Sequence, residues 1–172
     1  MERTLVFIKP DAVKGGICGE IIERFERVGL KVTDMKMLWL TKQQADKFYP
    51  KDREWLMMLS TKVQAAYAGK GKKFSRPGLA YGKLVKRYLI DYVTSGPVLA
   101  FVLEGNEAIA ISRKLVGPTD PSAAPAGTIR GDYCSDSLYS ANMEKRAEKT
   151  LIHTAGDAKE ARGQIKLIFG AE

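Results

Sequence analysis

Four stretches of the chain carry the apolar patterns of β-strands. Residues 4–8 (TLVFI) and 98–103 (VLAFVL) are continuous apolar runs, and each predicts a buried strand. Residues 31–40 (KVTDMKMLWL) alternate loosely and predict a further strand. Leu151 and Ile152 predict a short strand at an edge. The chain is therefore expected to build a small sheet.

Other stretches repeat apolar residues at helical spacing. Residues 18–28 place their apolar side chains on one face, and Gly29 supplies the stop. Thr41 and Gln44 have the spacing of a capping box, which predicts a short helix through Phe48. Further helices are predicted over 52–68, 79–93, 141–149 and 158–169.

The order of these elements predicts the fold class. Asn106 is expected to cap one more helix, which ends at Gly117, and residues 117–132 have the composition of a loop. Without the middle helices, the order is strand, helix, strand, strand, helix, strand, helix. This order predicts an α+β, ferredoxin-like split βαβ fold, with a four-stranded antiparallel sheet, helices on one face and a helical insertion. Residues 1–172 are expected to form a single domain.

Composition narrows the class of protein. Of the 172 residues, 45% are hydrophobic and 28% are charged, and no apolar run is long enough to span a membrane. The N-terminal stretch MERTLVFIKPD has no signal-peptide pattern, and Cys18 and Cys134 form neither a disulfide framework nor a zinc-ligand cluster. We therefore expect a cytoplasmic protein that does not bind a membrane.

The net charge of +8 is concentrated in one segment. Residues 62–90, the basic segment, contain eight Lys or Arg residues and no acidic residue. With Tyr67, Phe74, Tyr81 and Tyr88 between them, these cations could bind nucleic acid by charge and stacking. The simpler alternative is a solvated helical hairpin that steers anionic nucleotides, and we favour it. The glycines within this segment do not have P-loop spacing.

His153 is the only histidine of the chain. A lone histidine is more often structural, but this one follows Leu151 and Ile152 at a strand end and precedes small residues. A neutral imidazole in that position could act as a nucleophile if cations stabilise the electrophile. The residues alone leave both roles open.

Candidate cations and a hydroxyl stand in turn-like positions elsewhere. Lys9 follows the first strand, Arg113 lies late on a helix, and Thr119 lies in a Gly-Pro-Thr turn. Arg130 stands in GTIRGD, where the flanking glycines would let the backbone approach a ligand. Together these side chains could bind phosphoryl oxygens, but spacing alone does not bring them together.

Four ordered blocks carry a family resemblance. They are TLVFIKPDAVKGGICGEIIERFERVGLKV, SGPVLAFVLEGNEAI, GPTDPSAAPAGTIRGD and LIHTAGD. In this order they resemble the signature blocks of nucleoside diphosphate kinase, in a long form with insertions in the middle and before the active-site histidine. The resemblance covers most of the chain outside its middle.

The resemblance implies a function and a set of roles. His153 would take the γ-phosphoryl group of a nucleoside triphosphate and pass it to a nucleoside diphosphate in a ping-pong cycle. Tyr49 matches the tyrosine near the active histidine, and Asp157 would lie near a Mg²⁺ that bridges the nucleotide phosphates. Family members assemble into tetramers or hexamers, so a homo-oligomer is expected. Residues implied to contact phosphate are Lys9, Arg113, Thr119 and Arg130, with Lys9 also near the sugar.

Three positions around the histidine depart from the family pattern. Thr150 replaces an asparagine that contacts the ribose, Ala155 replaces a serine, and Gln164 stands where a glutamate normally orients the ring. Without that carboxylate, something else must fix the tautomer of the imidazole. We expect an active kinase that is slower or differently tuned.

Two stretches are extra relative to the short family form. They run over about 51–82 and about 133–149, and we expect them to rebuild the lip of the nucleotide site. The aromatic residue that stacks on the base belongs near the first stretch. The candidates are Trp55, Tyr81 and Tyr88. The competing hypothesis is a weakly active, kinase-like module that binds nucleotides or nucleic acid through residues 62–90.

Overall fold

The computed structural model describes residues 1–170. Within them, one sheet has the strand order β2-β3-β1-β4, and every neighbouring pair is antiparallel. The strands are β1 (Glu2–Ile8), β2 (Lys31–Leu38), β3 (Val98–Gly105) and β4 (Ile152–Thr154). The helices are α1 (Pro10–Lys14), α2 (Cys18–Glu26), α3 (Lys42–Phe48), α4 (Arg53–Ala68), α5 (Leu79–Val93), α6 (Ala108–Val116), α7 (Ile129–Tyr133), α8 (Leu138–Met143) and α9 (Ala158–Phe169).

The connections between the strands are those of a split βαβ fold. Helix α2 joins β1 to β2, and α6 joins β3 to β4. In the sheet, β3 lies between β1 and β2, and β1 lies between β3 and β4. The predicted ferredoxin-like fold is confirmed. The central strands β1 and β3 are the two continuous apolar runs of the sequence.

Helices cover both faces of the sheet, so the expectation of helices on one face was wrong. Side chains of β1 alternate between the faces. Ile8 packs with Phe25 of α2 in one core, whereas Phe7 packs with Phe48 of α3 and Ile168 of α9 in the other. The middle helices and the C-terminal helix therefore bury the second face, which explains why β1 and β3 are apolar without alternation.

The middle of the chain is a helical hairpin formed by α4 and α5. Asp52 caps α4, and the two helices approach so closely that a Cβ atom on Gly82 would lie 1.9 Å from the carbonyl oxygen of Leu56. Before the hairpin, Thr41 and Gln44 form the predicted capping box at the start of α3.

Several predicted boundaries moved. Glu107, in the left-handed region with φ 50°, takes the N-cap position of α6 instead of Asn106. The predicted loop 117–132 contains a 3₁₀ turn at Pro121–Ala123 and the start of α7. A helix was predicted over 141–149, but α8 begins earlier, because Ser137 caps it, and it ends at Met143, so most of the predicted range is not helical.

Candidate active site

His153 lies on β4, opposite Phe7 of β1. Its imidazole contacts the ring of Phe48 edge to face, with 5.0 Å between the ring centres, and 22% of the side chain is exposed. Leu151 has a positive φ of 62°, an uncommon conformation for a bulky residue, just before the strand. The ring is therefore held between the sheet and α3, with one side open to a cavity.

A cavity of about 480 Å³ brings together His153 and the residues predicted to bind phosphate. They come from strand ends, from the last turn of α6, from the first turn of α7 and from connecting segments far apart in the sequence. The predicted residues that line it are Lys9, Tyr49, Arg113, Thr119, Arg130, Thr150 and His153.

Lys9 is buried in the wall of the cavity. Its Nζ atom donates a hydrogen bond of 2.6 Å to Oγ1 of Thr150, and its backbone N–H donates to the carbonyl of Leu151. Burial, followed by the nearby charge of Arg130, lowers the pKa of Lys9 to about 8. Near neutral pH the amine is therefore still charged, but it gives up its proton more readily than an exposed lysine.

The guanidinium of Arg130 is also buried, and four of its N–H groups already have partners. They donate to the carbonyl oxygens of Gly117, Pro118, Thr150 and Ile152 at 2.7–3.2 Å. Arginine has five such donors, so one remains for a ligand. Burial lowers the pKa of Arg130 to about 10, which leaves it charged at neutral pH. Arg130 is thus a fixed positive charge that also joins two loops.

The glycines around Arg130 serve the fold rather than a ligand. Gly127 has φ 89°, and a Cβ atom on Gly131 would lie 2.0 Å from the carbonyl oxygen of Pro125. The expected close approach is therefore to the protein's own backbone. Arg113 and Thr119, by contrast, are exposed at the rim of the cavity, where a ligand can reach them.

The imidazole of His153 is neutral at physiological pH. Burial, followed by the positive charge of Lys9, lowers its pKa to about 3, although a hydrogen bond to Gln164 acts in the opposite direction. In that hydrogen bond, Nε2 of His153 and Oε1 of Gln164 are 3.1 Å apart. An amide oxygen can only accept, so Nε2 carries the hydrogen and Nδ1 keeps its lone pair.

Two acidic residues at the site were missed at the sequence level. Glu160 lies on α9 within 3.6 Å of His153 Nε2, and Gln164 donates to its carboxylate. Glu148 is buried in the cavity wall, where burial and the neighbouring Asp120 raise its pKa to about 8. Glu160 could have been found from the sequence, because it lies one helical turn before Gln164 and therefore on the same face of the helix. Nothing local marks Glu148.

Comparison with known proteins decides the family. A family model described as nucleoside diphosphate kinase matches residues 2–67 and 80–172. The protein named nucleoside diphosphate kinase in Pyrobaculum aerophilum is 43% identical, over 100% of this chain and 97% of its own. The one in Hyperthermus butylicus is 46% identical, over 98% of this chain and 92% of its own. This chain belongs to the nucleoside diphosphate kinase family. The family and the enzyme class predicted from the sequence are confirmed.

Solved structures of nucleoside diphosphate kinases share the fold. The crystal structure of the NDP kinase from Pyrobaculum aerophilum matches with a TM-score of 0.93 and 42% identity, over 98% of this chain and 95% of that one. The Borrelia burgdorferi nucleoside diphosphate kinase, solved with bound vanadate and ADP as a transition-state mimic, matches with a TM-score of 0.77 and 32% identity, over 98% of this chain and 86% of that one.

Of the three aromatic residues that were candidates for base stacking, two line the cavity. They are Trp55, which stacks on Tyr49 with 6.1 Å between ring centres, and Tyr88. Tyr81 lies elsewhere, because its hydroxyl donates to Asn142 and its ring packs against Phe74.

Both stretches that were predicted to be insertions, 51–82 and 133–149, contribute to the cavity. Met58 and Leu59 of α4 line it from the first stretch, and Leu138 and Asn142 of α8 line it from the second. The two stretches also contact each other, since the rings of Tyr67 and Tyr139 are 4.9 Å apart. The family model leaves out only residues 68–79 between its matched ranges, the connection from α4 to α5.

Three further predicted residues lie outside the cavity lining: Gln164, which contacts His153 from behind the lining, Ala155 and Asp157. Ala155 is fully buried in a small apolar cluster with Ile109 and Ala161. Asp157 is the N-cap of α9, where its side chain accepts the backbone N–H of Glu160, and it faces a different depression of the surface. Within residues 1–170, no three His, Cys, Asp or Glu side chains are grouped to hold a metal ion, and no helix is both long and apolar enough to cross a bilayer.

Proposed function

We propose that this chain transfers the γ-phosphoryl group of a nucleoside triphosphate to a nucleoside diphosphate through a phosphohistidine on His153. The observation that carries the proposal is that the only histidine of the chain lines the same cavity as Lys9, Arg113 and Arg130. A neutral imidazole has the lone pair that a nucleophile needs, and three cations can stabilise the charge of the transferred group.

The first half of the cycle needs no proton transfer. Nδ1 of His153 forms a bond to the γ-phosphorus, and the bond from that phosphorus to the bridging oxygen breaks. The electron pair leaves with the nucleoside diphosphate, and Nε2 keeps its hydrogen towards Gln164. The phosphorylated ring is therefore cationic, and the reverse reaction with another diphosphate restores the neutral ring.

The cavity residues have different roles in positioning the nucleotide. Arg113 and Thr119 at the rim contact the outer phosphates, because they are exposed. Lys9 and Arg130 are buried in the cavity wall and act as fixed positive charges, and Arg130 can donate its one remaining N–H to the ligand. Thr150, which accepts a hydrogen bond from Lys9, lies near the sugar. The hydroxyl of Tyr49 is buried and has no hydrogen-bond partner among the described residues, so it can donate to a phosphate oxygen.

Mg²⁺ accompanies the nucleotide in this proposal. When bound, it neutralises charge on the phosphates, and it takes most of its ligands from phosphate and water. The cavity fits such an ion, since the Oε1 atom of Glu148 is buried and has no hydrogen-bond partner within the described residues. This oxygen could accept a hydrogen bond from a water molecule that is bound to the ion. Asp157 is already occupied as the cap of α9.

We also propose a homo-oligomer, a tetramer or hexamer, in the cytoplasm. Within the described sheet, strand β2 pairs with β3 on one side only. Met37 in this strand is 59% exposed, and Trp39 just after it is 67% exposed. An apolar edge strand of this kind favours pairing with another copy. Cys18 and Cys134 are free thiols, as is usual in a reducing compartment. Residues 1–172 would act as a single domain, with 51–82 and 133–149 as insertions.

The competing nucleic-acid hypothesis loses part of its support. Three of the four aromatic residues that were to stack on bases pack on each other instead: Tyr67 on Phe74, and Phe74 on Tyr81, with ring centres 5.0 and 4.7 Å apart. Lys86 is buried and pairs with Asp46 at 2.7 Å. The fourth aromatic residue, Tyr88, lines the nucleotide cavity.

Incubation with γ-labelled ATP and Mg²⁺ tests the proposal. The wild type should take up acid-labile, alkali-stable label, and addition of unlabelled GDP should discharge it as labelled GTP. His153→Ala should take up none. A wild type that stays unlabelled would refute the proposed function.

A further inference from the structure

The support of His153 begins with a pair of side chains on α9. Glu160 and Gln164 are one helical turn apart, so both lie on the face that looks towards β4. Nε2 of Gln164 donates to Oε1 of Glu160 at 2.7 Å, and Oε1 of Gln164 is 3.1 Å from Nε2 of His153. Carboxylate, amide and imidazole thus form a continuous chain of hydrogen bonds.

A glutamine by itself does not choose a histidine tautomer, because its amide can present either oxygen or nitrogen to the ring. A carboxylate can only accept. Glu160 therefore draws the amide nitrogen of Gln164, and the amide oxygen must face His153. That oxygen in turn requires the hydrogen on Nε2, so the lone pair is left on Nδ1.

The carboxylate of Glu160 is itself held in place. Its Oε2 atom accepts the backbone N–H of Gly156 at 2.6 Å, and its own backbone N–H donates to Asp157. A Cβ atom on Gly156 would lie 2.9 Å from that Oε2 atom and 3.4 Å from Nη1 of Arg113. Gly156, in the turn after His153, therefore leaves the space that the carboxylate of Glu160 on α9 occupies.

We propose that Glu160 is a positioning residue for phosphoryl transfer, acting through Gln164 to hold His153 as the Nε2–H tautomer with Nδ1 free. This inference rests on the proposed role of His153. Glu160 provides a carboxylate one helical turn before Gln164, the position where the family pattern has a glutamate. When the ring becomes cationic, Glu160 also lies close enough to stabilise it, with Oε1 3.6 Å from Nε2.

The decisive measurement is the tautomer of His153. Because the chain has one histidine, ¹⁵N-histidine labelling yields a single imidazole spectrum. In the wild type we expect hydrogen on Nε2 and none on Nδ1. In Glu160→Gln, whose new amide can donate as well as accept, Gln164 is free to turn, and a substantial Nδ1–H fraction should appear.

Labelling by γ-labelled ATP measures the consequence. Glu160→Gln should be labelled about tenfold more slowly, as expected when one charge-assisted hydrogen bond is lost. Gly156→Ala should slow labelling in the same direction, because it displaces the carboxylate without replacing it. The exchanged pair Glu160→Gln with Gln164→Glu places a carboxylate directly against the ring and should restore both the tautomer and most of the rate.

Two controls separate the possible failures. Glu23→Gln makes the same chemical change on the exposed face of α2, paired with Arg27, and should alter neither readout. Thermal unfolding of each variant identifies loss of folded protein. If the wild type is labelled but Glu160→Gln keeps both the rate and the tautomer, Glu160 has no positioning role, whereas an unlabelled wild type refutes the proposed function instead.

Discussion

The Nζ atom of Lys9 and the Oγ1 atom of Thr150 are joined by a hydrogen bond of 2.6 Å, across 141 positions of the chain. Both residues are buried, at 6% and 4% exposure. The bond connects the end of β1 to the segment just before β4, and therefore places a cation near His153. Through this bond the hydroxyl of Thr150 has a polar partner within the protein.

Loss of this hydroxyl should cost stability and shift a pKa. In Thr150→Val the buried ammonium of Lys9 loses its acceptor, so the free energy of unfolding should fall by about 1–3 kcal/mol. The pKa of Lys9 should fall further, and ADP should bind more weakly. Urea unfolding and calorimetric titration measure the two effects. Thr150→Ser keeps the hydroxyl and should lie close to the wild type; equal losses in both variants would contradict this account.

The pH dependence of kcat/KM for ATP should have a decline on the alkaline side. The pKa of Lys9 is lowered and that of Glu148 is raised, both to about 8. Above that pH, Lys9 loses a positive charge and Glu148 gains a negative one, so both changes weaken phosphate binding. Since the pKa of His153 is lowered to about 3, its protonation should cause no acid decline near its ordinary pKa of 6.5.

A steady-state profile, corrected for the ionisation of the nucleotide, measures this dependence. Glu148→Gln removes one of the two titrations and should move the alkaline decline to higher pH or flatten it. An acid decline centred near pH 6.5 in the wild type would show that the histidine is not held neutral in the free enzyme.

The base of the nucleotide should stack on an aromatic residue of the α4–α5 hairpin that lines the cavity. Trp55→Leu or Tyr88→Leu should weaken ADP binding by about 1–3 kcal/mol, the usual contribution of one stacked base. Tyr81→Leu should leave ADP affinity unchanged, although it will lower stability. Tripolyphosphate, which has no base, is the control ligand, and its affinity should not respond. If only Tyr81→Leu weakened ADP binding, the assignment would be wrong.

The exposed cations of the connection between α4 and α5 should have no part in catalysis. We expect the triple variant with Lys70, Lys72 and Lys73 changed to Gln to keep phosphotransfer within about twofold, since exposed charges act only by steering. Lys62→Gln, at the cavity wall, should raise the KM for ATP more. A nucleic-acid filter assay at moderate salt should find no retention of the wild type. Retention that the triple variant abolishes would restore the competing hypothesis.

Several features of this protein are decided by neighbouring residues, and the sequence alone was enough to predict them. The apolar runs of β1 and β3, the capping box of Thr41 and Gln44, and the start of α9 after Asp157 depend on backbone preferences and periodicity within a few positions. The family resemblance added the order of the blocks, and with it the choice of His153. The local pattern predicted Asn106 as the N-cap of α6, but the positive φ angle of Glu107 makes Glu107 the N-cap.

Only the tertiary structure decided the support of the site. The four carbonyl partners of Arg130 come from the loop after α6 and from the segment that leads into β4, and the buried Glu148 lies beside residues that are distant in sequence. The sequence left both Trp55 and Tyr81 open as stacking candidates, yet only Trp55 lines the cavity. Glu160 reaches His153 only because α9 packs across β1 and beside β4. Burial and hydrogen-bond geometry arise when distant segments meet, and no periodicity within one segment encodes them.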